Sequence, residues 1–158
     1  MSKQLSALTL FAIACVAVVS ASQQVTPPIE SRLAKAESLW VVKKPDAYQF
    51  TVRLTCFCRL PETPPSFLVK MGLSEPIGTL DPEMRKTFTY YDTVEKLFAH
   101  LRRAMSMKAV KVLADFDPAL GYPTHGETDI SATIADDEMV FDVTGFKVVK
   151  PAARPRSR

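Results

Sequence analysis

The chain is poor in the residues that most often carry chemistry, and this scarcity narrows the functions it can have. Its 158 residues include only three cysteines, two histidines and five glycines. There is no phosphate-binding loop, no glycine-rich dinucleotide fingerprint and no nucleophile elbow. The histidines, His100 and His125, are 25 residues apart, so the spacing of a zinc finger is absent as well. We therefore assign no catalytic residue, metal site or cofactor, and the chain is not predicted to be an enzyme.

A surplus of positive charge is also missing from the body of the chain. The formal net charge is +3, with 20 Lys and Arg against 17 Asp and Glu. Six of the basic residues lie in the first 21 or the last twelve residues, two stretches that contain no acid. Residues 22–146 therefore carry 14 basic and 17 acidic residues, a net charge of about −3. This balance argues against a nucleic acid partner.

The chain does contain an export segment at its start. Lys3 precedes the apolar run Leu5–Val19, and the small residues Val19-Ser20-Ala21 form a signal-peptidase site. The run is short for a membrane-spanning helix of roughly 20 residues. We therefore expect residues 1–21 to be a cleaved signal peptide, the mature protein to have no membrane span, and its location to be periplasmic or secreted.

Hydrophobic spacing predicts one α+β domain over residues 29–150, between a spacer at residues 22–28 and a flexible basic tail at residues 151–158. The predicted elements are a helix from Pro28 to Lys44, strands at residues 48–56, 66–73 and 87–91, a loop or hairpin at residues 76–86, a helix from Asp92, and strands at residues 109–116, 124–133 and 139–149. No alternating strand–helix repeat is visible. The order favours an antiparallel β-sheet with one or two helices packed on one face.

The second helix is the clearest element in the sequence. Asp92 and Glu95 have the spacing of a capping box. One apolar stripe, typical of a core-facing helix side, contains Val94, Leu97, Phe98, Leu101 and Met105. His100 lies off this stripe, so we expect it on the exposed side of the helix.

Several short motifs occur together in a recognisable order. They are Trp40, Tyr48, Cys56-Phe57-Cys58, Thr93-Val94 with Leu97-Phe98, the turn Asp117–Pro123, Asp129 and Asp136-Asp137-Glu138. The set resembles a family of small exported, mostly bacterial proteins and lipoproteins of unknown function, over about residues 36–149. The segment Gly72–Arg85 departs from the pattern because it is longer and richer in proline. The resemblance implies an exported α+β domain and no activity.

Cys56 and Cys58 are the first candidate site. Residues two apart on a strand share a face, with Cα atoms about 6.6 Å apart, so a disulfide is just within reach. An oxidising compartment favours that bond. Two buried thiols, a redox pair and a metal site remain open; zinc would need both histidines, and copper could add Met71. The third cysteine, Cys15, lies in the leader, where the incomplete lipoprotein box around it argues against a lipid anchor.

An acidic stretch is the second candidate site. The chain has eight acids and no Lys or Arg between Lys111 and Lys147. The candidates for binding a cation or a basic partner are Asp115, Asp117, Asp129, Asp136, Asp137 and Glu138. Their spacing matches no calcium loop, and aspartates at turns also accept hydrogen bonds from nearby backbone N–H groups. Ordinary turns with a solvated acidic face are therefore the alternative.

Three functions are consistent with these observations. The first is an exported, non-enzymatic binding or structural module of the cell envelope or secreted fraction, with a protein or small-molecule partner. The second is a thiol-redox or metal-binding protein centred on Cys56 and Cys58. The third is a secreted inhibitor of another protein's enzyme, acting through a loop such as Pro61–Pro65.

Overall fold

Residues 27–150, which the computed structural model describes, form three helices and six antiparallel strands. In chain order the elements are α1 (Ile29–Lys43), β1 (Ala47–Thr55), β2 (Ser66–Lys70), β3 (Leu73–Ile77), α2 (Pro82–Phe88), α3 (Val94–Ser106), β4 (Lys111–Phe116), β5 (Pro123–Asp129) and β6 (Met139–Val148). The strands form one six-stranded sheet in the order β3-β2-β1-β6-β5-β4. The predicted antiparallel α+β class is confirmed, with three helices in the described residues. The predicted leader and basic tail lie outside them.

Helix α1 begins after Pro28 and ends before Pro45. Proline suits a helix start because its missing N–H would have no helical partner there. The residues at helical spacing, Leu33, Ala36 and Trp40, are buried on one side of α1, and Trp40 is only 1% exposed. The predicted apolar face of this helix is therefore confirmed.

Strand β1 lies in the middle of the sheet, between β2 and β6. Successive side chains on a strand point to opposite faces. The buried face of β1 consists of Tyr48, Phe50, Val52 and Leu54. The helices cover this face, whereas Arg53 and Thr55 are exposed on the other.

The segment between β2 and α3 differs most from the prediction. The predicted strand at Thr87–Tyr91 is wrong, and the loop or hairpin at residues 76–86 contains most of a helix. Asp81 caps α2 because its carboxylate accepts hydrogen bonds from two backbone N–H groups of the first turn, at 2.9 and 3.4 Å. Pro82 occupies the first helical turn, where it is tolerated. Phe88, the last residue of α2, is buried in the core and anchors the helix.

Helix α3 is capped by Thr93, one residue later than predicted. The Thr93 hydroxyl accepts a hydrogen bond from the Lys96 N–H at 3.2 Å. The Asp92 carboxylate instead forms an ion pair with the Lys96 side chain, at 2.6 Å. The predicted apolar stripe is confirmed by four buried residues, Val94, Leu97, Phe98 and Leu101, while Met105 packs against the core as a partly buried side chain.

An aromatic cluster joins α1 to the sheet. The Trp40 ring lies edge-on to Tyr48, Tyr122 and Phe146, with ring centroids 5.3, 6.4 and 6.1 Å away. Tyr122 stacks on Phe146 at 4.2 Å. Edge-to-face and stacked pairs of this kind add stability beyond the area that they bury. Several residues that carry the family resemblance therefore lie in the core.

Glu95 links this cluster to the start of α3. Its carboxylate accepts hydrogen bonds from Trp40 Nε1 at 3.1 Å and from the Tyr48 hydroxyl at 3.2 Å. Burial alone raises the pKa of Glu95, but the Trp40 hydrogen bond and the nearby Lys44 charge outweigh it, so the pKa is lowered overall. The Tyr48 hydroxyl in turn accepts the Val94 N–H at 3.1 Å. Trp40, Tyr48 and Glu95 thus fix α1, β1 and α3 relative to one another.

Candidate functional site

An open cavity of about 570 Å³ lies beside α3. Its walls come from three parts of the chain: the turn after α2, one side of α3 and the residue that follows β5. The lining residues are Thr89, Tyr90, Tyr91, Lys96, Ala99, His100, Arg103, Ala104, Met107 and Ile130. Small-molecule sites in proteins have volumes of about 300–1,000 Å³, so this cavity is large enough for a ligand.

Helical spacing explains why α3 contributes so much of the wall. Lys96, His100, Arg103 and Met107 follow one another at intervals of three or four residues, which places them along one side of a helix. This stripe runs beside the buried stripe that contains Leu97. Helix α3 therefore faces the core with one stripe and the cavity with the next.

Apolar side chains dominate the surface of the cavity. Tyr90 is 70% exposed and Met107 is 50% exposed, although both are large and hydrophobic. Ala99 and Ala104 are the small residues of the α3 wall, and Ile130 closes the side near β5. Exposed apolar groups gathered in a concave place, with few polar groups among them, are typical of ligand sites.

His100 is fixed within the wall. Its Nε2 lies 3.0 Å from the Thr128 hydroxyl, and its Nδ1 lies 3.4 Å from the Tyr91 hydroxyl. Burial lowers the pKa of His100, and the positive charge of Arg103 lowers it further, so the neutral imidazole is favoured. The exposed position predicted for His100 is wrong: the side chain is half-buried because it lies between α3 and β5.

The two charged side chains that line the cavity are both positive. Lys96 and Arg103 belong to its lining, and none of the lining residues is acidic. Lys96 is paired with Asp92, which lies outside the lining. Arg103 has no ion pair with any residue in the range 27–150. The cavity therefore combines apolar walls with a positive charge at its edge.

Two hydrogen bonds hold the His100 ring in place. Both ring nitrogens of His100 are within hydrogen-bonding distance of a hydroxyl group, that of Tyr91 or that of the buried Thr128, and these contacts orient the ring. A general base would need an open nitrogen aimed at the reacting group. His100 therefore has both ring nitrogens engaged by neighbouring hydroxyl groups.

Cys56 and Cys58 form a close pair, with Cα atoms 5.2 Å apart. This distance is within the range of disulfides. The two residues do not lie on one strand face as predicted, because β1 ends at Thr55 and the chain bends at Cys56. The bend brings the Cα atoms closer than the roughly 6.6 Å of an extended strand.

Cys56 lies at the edge of a smaller cavity of about 290 Å³. Its lining includes Cys56, Phe88 and part of the Pro61–Pro65 loop. Within residues 27–150 there is no group of three or more His, Cys, Asp or Glu residues that could hold a metal ion. The two histidines lie elsewhere. His100 lines the cavity beside α3, and His125 on β5 contacts Asp142 on β6 at 2.8 Å.

The first two acidic candidates have separate local roles. Asp115 on β4 forms an ion pair with Arg32 of α1 at 3.0 Å. The Asp117 carboxylate accepts the Ala119 and Leu120 N–H groups at 3.0 and 2.7 Å. The second arrangement is the ordinary use of aspartate at a turn.

The other acidic candidates lie near the far end of the β4–β5 hairpin. Asp115 is opposite His125 at one end of this hairpin, whereas Asp129 is opposite Lys111 at the other. Burial raises the pKa of Asp137, and the adjacent Asp129 raises it further. Asp136 and Glu138 are exposed. Asp115 and Asp117 thus lie apart from the other four candidates, which are near the far end of the hairpin.

Comparisons with known proteins place the chain by family alone. The profile of a family of unknown function, DUF6174, matches residues 32–148, close to the stretch over which the sequence resembles such a family. No curated protein and no solved structure matches. Within residues 27–150, no helix is long and apolar enough to cross a membrane.

Proposed function

Because this chain belongs to DUF6174, a family whose function is not known, its role has to be inferred from its own surface, and we propose that it is an exported, non-enzymatic binding module for a small molecule. The observation that carries the proposal is the apolar cavity of about 570 Å³ beside α3. Its volume, its exposed Tyr90 and its fixed His100 are the features of a preformed ligand site.

Export is supported by the start of the sequence. Lys3, the apolar run Leu5–Val19 and the small residues before Ser22 have the order of a cleaved signal peptide. A module that binds a small molecule outside the cytoplasm has its ligand site open to the surrounding medium, as the cavity beside α3 is. The site of action is then periplasmic or secreted.

Filling the cavity with a large side chain should weaken ligand binding. We expect Ala99→Trp to weaken binding of the neutral fluorescent probe N-phenyl-1-naphthylamine by about tenfold or more, a loss of roughly 1.4 kcal/mol. Ala99 is exposed on the cavity side of α3, so the added indole occupies the ligand space without displacing the core. Probe fluorescence measures the binding.

The matched control is Ala34→Trp, which adds the same side chain at an exposed alanine of α1, outside the lining. This variant should bind the probe as the unchanged protein does. Equal binding by Ala99→Trp and Ala34→Trp would rule out this cavity as the site. If the unchanged protein bound neither this probe nor an anionic probe with the same ring system, the proposed function itself would be contradicted.

The intact mass of exported material tests export and the cysteine pair together. We expect a chain that begins near Ser22, with a mass about two daltons lower before reduction than after it, because a disulfide lacks two hydrogens. The control is the variant with Cys56→Ser and Cys58→Ser, which should show no such difference. It should also lose little thermal stability, since the loop closed by the bond is very short.

Three results would change this picture. An intact leader on a cytosolic chain would contradict export. A chain that begins at Cys15 with added lipid mass would replace cleavage by lipidation. Two free thiols in exported material would show that Cys56 and Cys58 are close neighbours without a bond.

A further inference from the structure

The positive side chains that line the cavity indicate which charge a bound small molecule should carry. Lys96 and Arg103 line it, and no acidic residue does. Lys96 has a partner of its own, because Asp92 holds its ammonium group at 2.6 Å. Arg103 forms no ion pair with any residue of the described range, so its charge is available to a ligand.

The position of Arg103 places this charge next to the apolar wall. Along α3, Arg103 is three residues after His100 and four before Met107, which sets it between them on the cavity side. Ala99, one turn earlier, leaves room beside it. A guanidinium group binds carboxylates and other oxyanions through paired hydrogen bonds, and it stays charged at any physiological pH.

We infer that the cavity binds amphipathic anions, small organic acids whose apolar body packs between Tyr90 and Met107 while the acidic group pairs with Arg103. This inference rests on the proposed function and adds the class of ligand. A cationic ligand is disfavoured because it would meet the positive charge of Arg103 and no carboxylate in the lining. A neutral apolar ligand would fill the cavity but leave Arg103 without a partner.

Two probes with the same ring system separate the charge from the shape. One is the neutral N-phenyl-1-naphthylamine, and the other is 8-anilinonaphthalene-1-sulfonate, which adds an anionic group. We expect the sulfonate to bind the unchanged protein at least about tenfold more tightly. Its binding should weaken as salt is added, because ions screen a charge pair at the protein surface.

The variant Arg103→Gln should weaken sulfonate binding by about tenfold and change binding of the neutral probe by less than about twofold. Arg103→Lys should restore most of the sulfonate binding, because it returns the charge. The matched control is Arg102→Gln, since Arg102 is adjacent in sequence but pairs with Glu37 and does not line the cavity. Circular dichroism confirms that each variant is folded.

The possible results distinguish the ligand cavity from its preference for anions. Equal affinity for both probes, or no effect of Arg103→Gln, would overturn the preference for anions and leave the ligand cavity in place. Binding of neither probe would contradict the ligand cavity. Sulfonate binding that persists unchanged in Ala99→Trp would locate the anion site elsewhere and also overturn the inference.

Discussion

Replacing Gly121 by alanine should lower the free energy of unfolding by about 2–5 kcal/mol, from roughly 1–2 kcal/mol of backbone strain and roughly 1–3 kcal/mol of overpacking. Gly121 has a φ of +88°, and a Cβ atom there would lie 2.3 Å from the Ala36 carbonyl oxygen and 3.0 Å from the Trp40 nitrogen. Both are backbone atoms of α1, which cannot move aside as a side chain can. The helix itself would have to shift away from the turn.

The matched control is Gly72→Ala. Gly72 has a φ of +78°, close to that of Gly121, but no heavy atom lies within 4 Å of its added Cβ. This variant therefore has the backbone strain without the clash, and we expect a loss of about 1–2 kcal/mol. Urea unfolding followed by circular dichroism measures both. Equal losses would show that the close approach of Gly121 to α1 does not determine stability.

Trp40→Ala should lower the free energy of unfolding by about 3–5 kcal/mol, the range for removing a large buried aromatic ring. Trp40 is 1% exposed and contacts aromatic rings of β1, of β6 and of Tyr122, the residue before β5. Its loss would leave a cavity where α1 meets the sheet. It would also remove the indole donor from the Glu95 carboxylate.

Trp40→Phe separates the two contributions. Phenylalanine keeps much of the ring but cannot donate a hydrogen bond, so we expect a smaller loss than for alanine, with about 1 kcal/mol from the hydrogen bond. Unfolding is followed by circular dichroism, because the chain has a single tryptophan and both variants remove it. A loss below about 0.5 kcal/mol for Trp40→Ala, the range of an exposed site, would contradict this position of α1.

The elements that the sequence predicts well are those with long local patterns. The strict alternation of β1 and the stripe that contains Leu97 each extend over several turns or pleats, so one period dominates. Helix α2 has only seven residues, and its aromatic Phe88 is common in strands. A pattern this short fits either structure, and the capping by Asp81 is the signal that distinguishes them.

Local sequence patterns cannot predict the candidate site, because it is assembled from segments that are distant in sequence. Tyr90 precedes α3, Met107 follows it, and Ile130 comes after β5, so only the tertiary fold brings them together. One signal was present in the sequence: a second helical stripe through Lys96 and Arg103. The acidic stretch is continuous in sequence but not in space. Asp115 and Asp129 lie at opposite ends of the β4–β5 hairpin.

The pairing of β1 with β6 has a consequence for how the chain reaches its native state. Tyr48 lies opposite Val148, so β1 can pair with β6 only after one hundred further residues have been synthesised. During synthesis from the N-terminus, β1 can pair with β2 while its other edge stays open. Open edges recruit other strands and promote aggregation. This edge of β1 therefore stays exposed to such pairing until β6 is made.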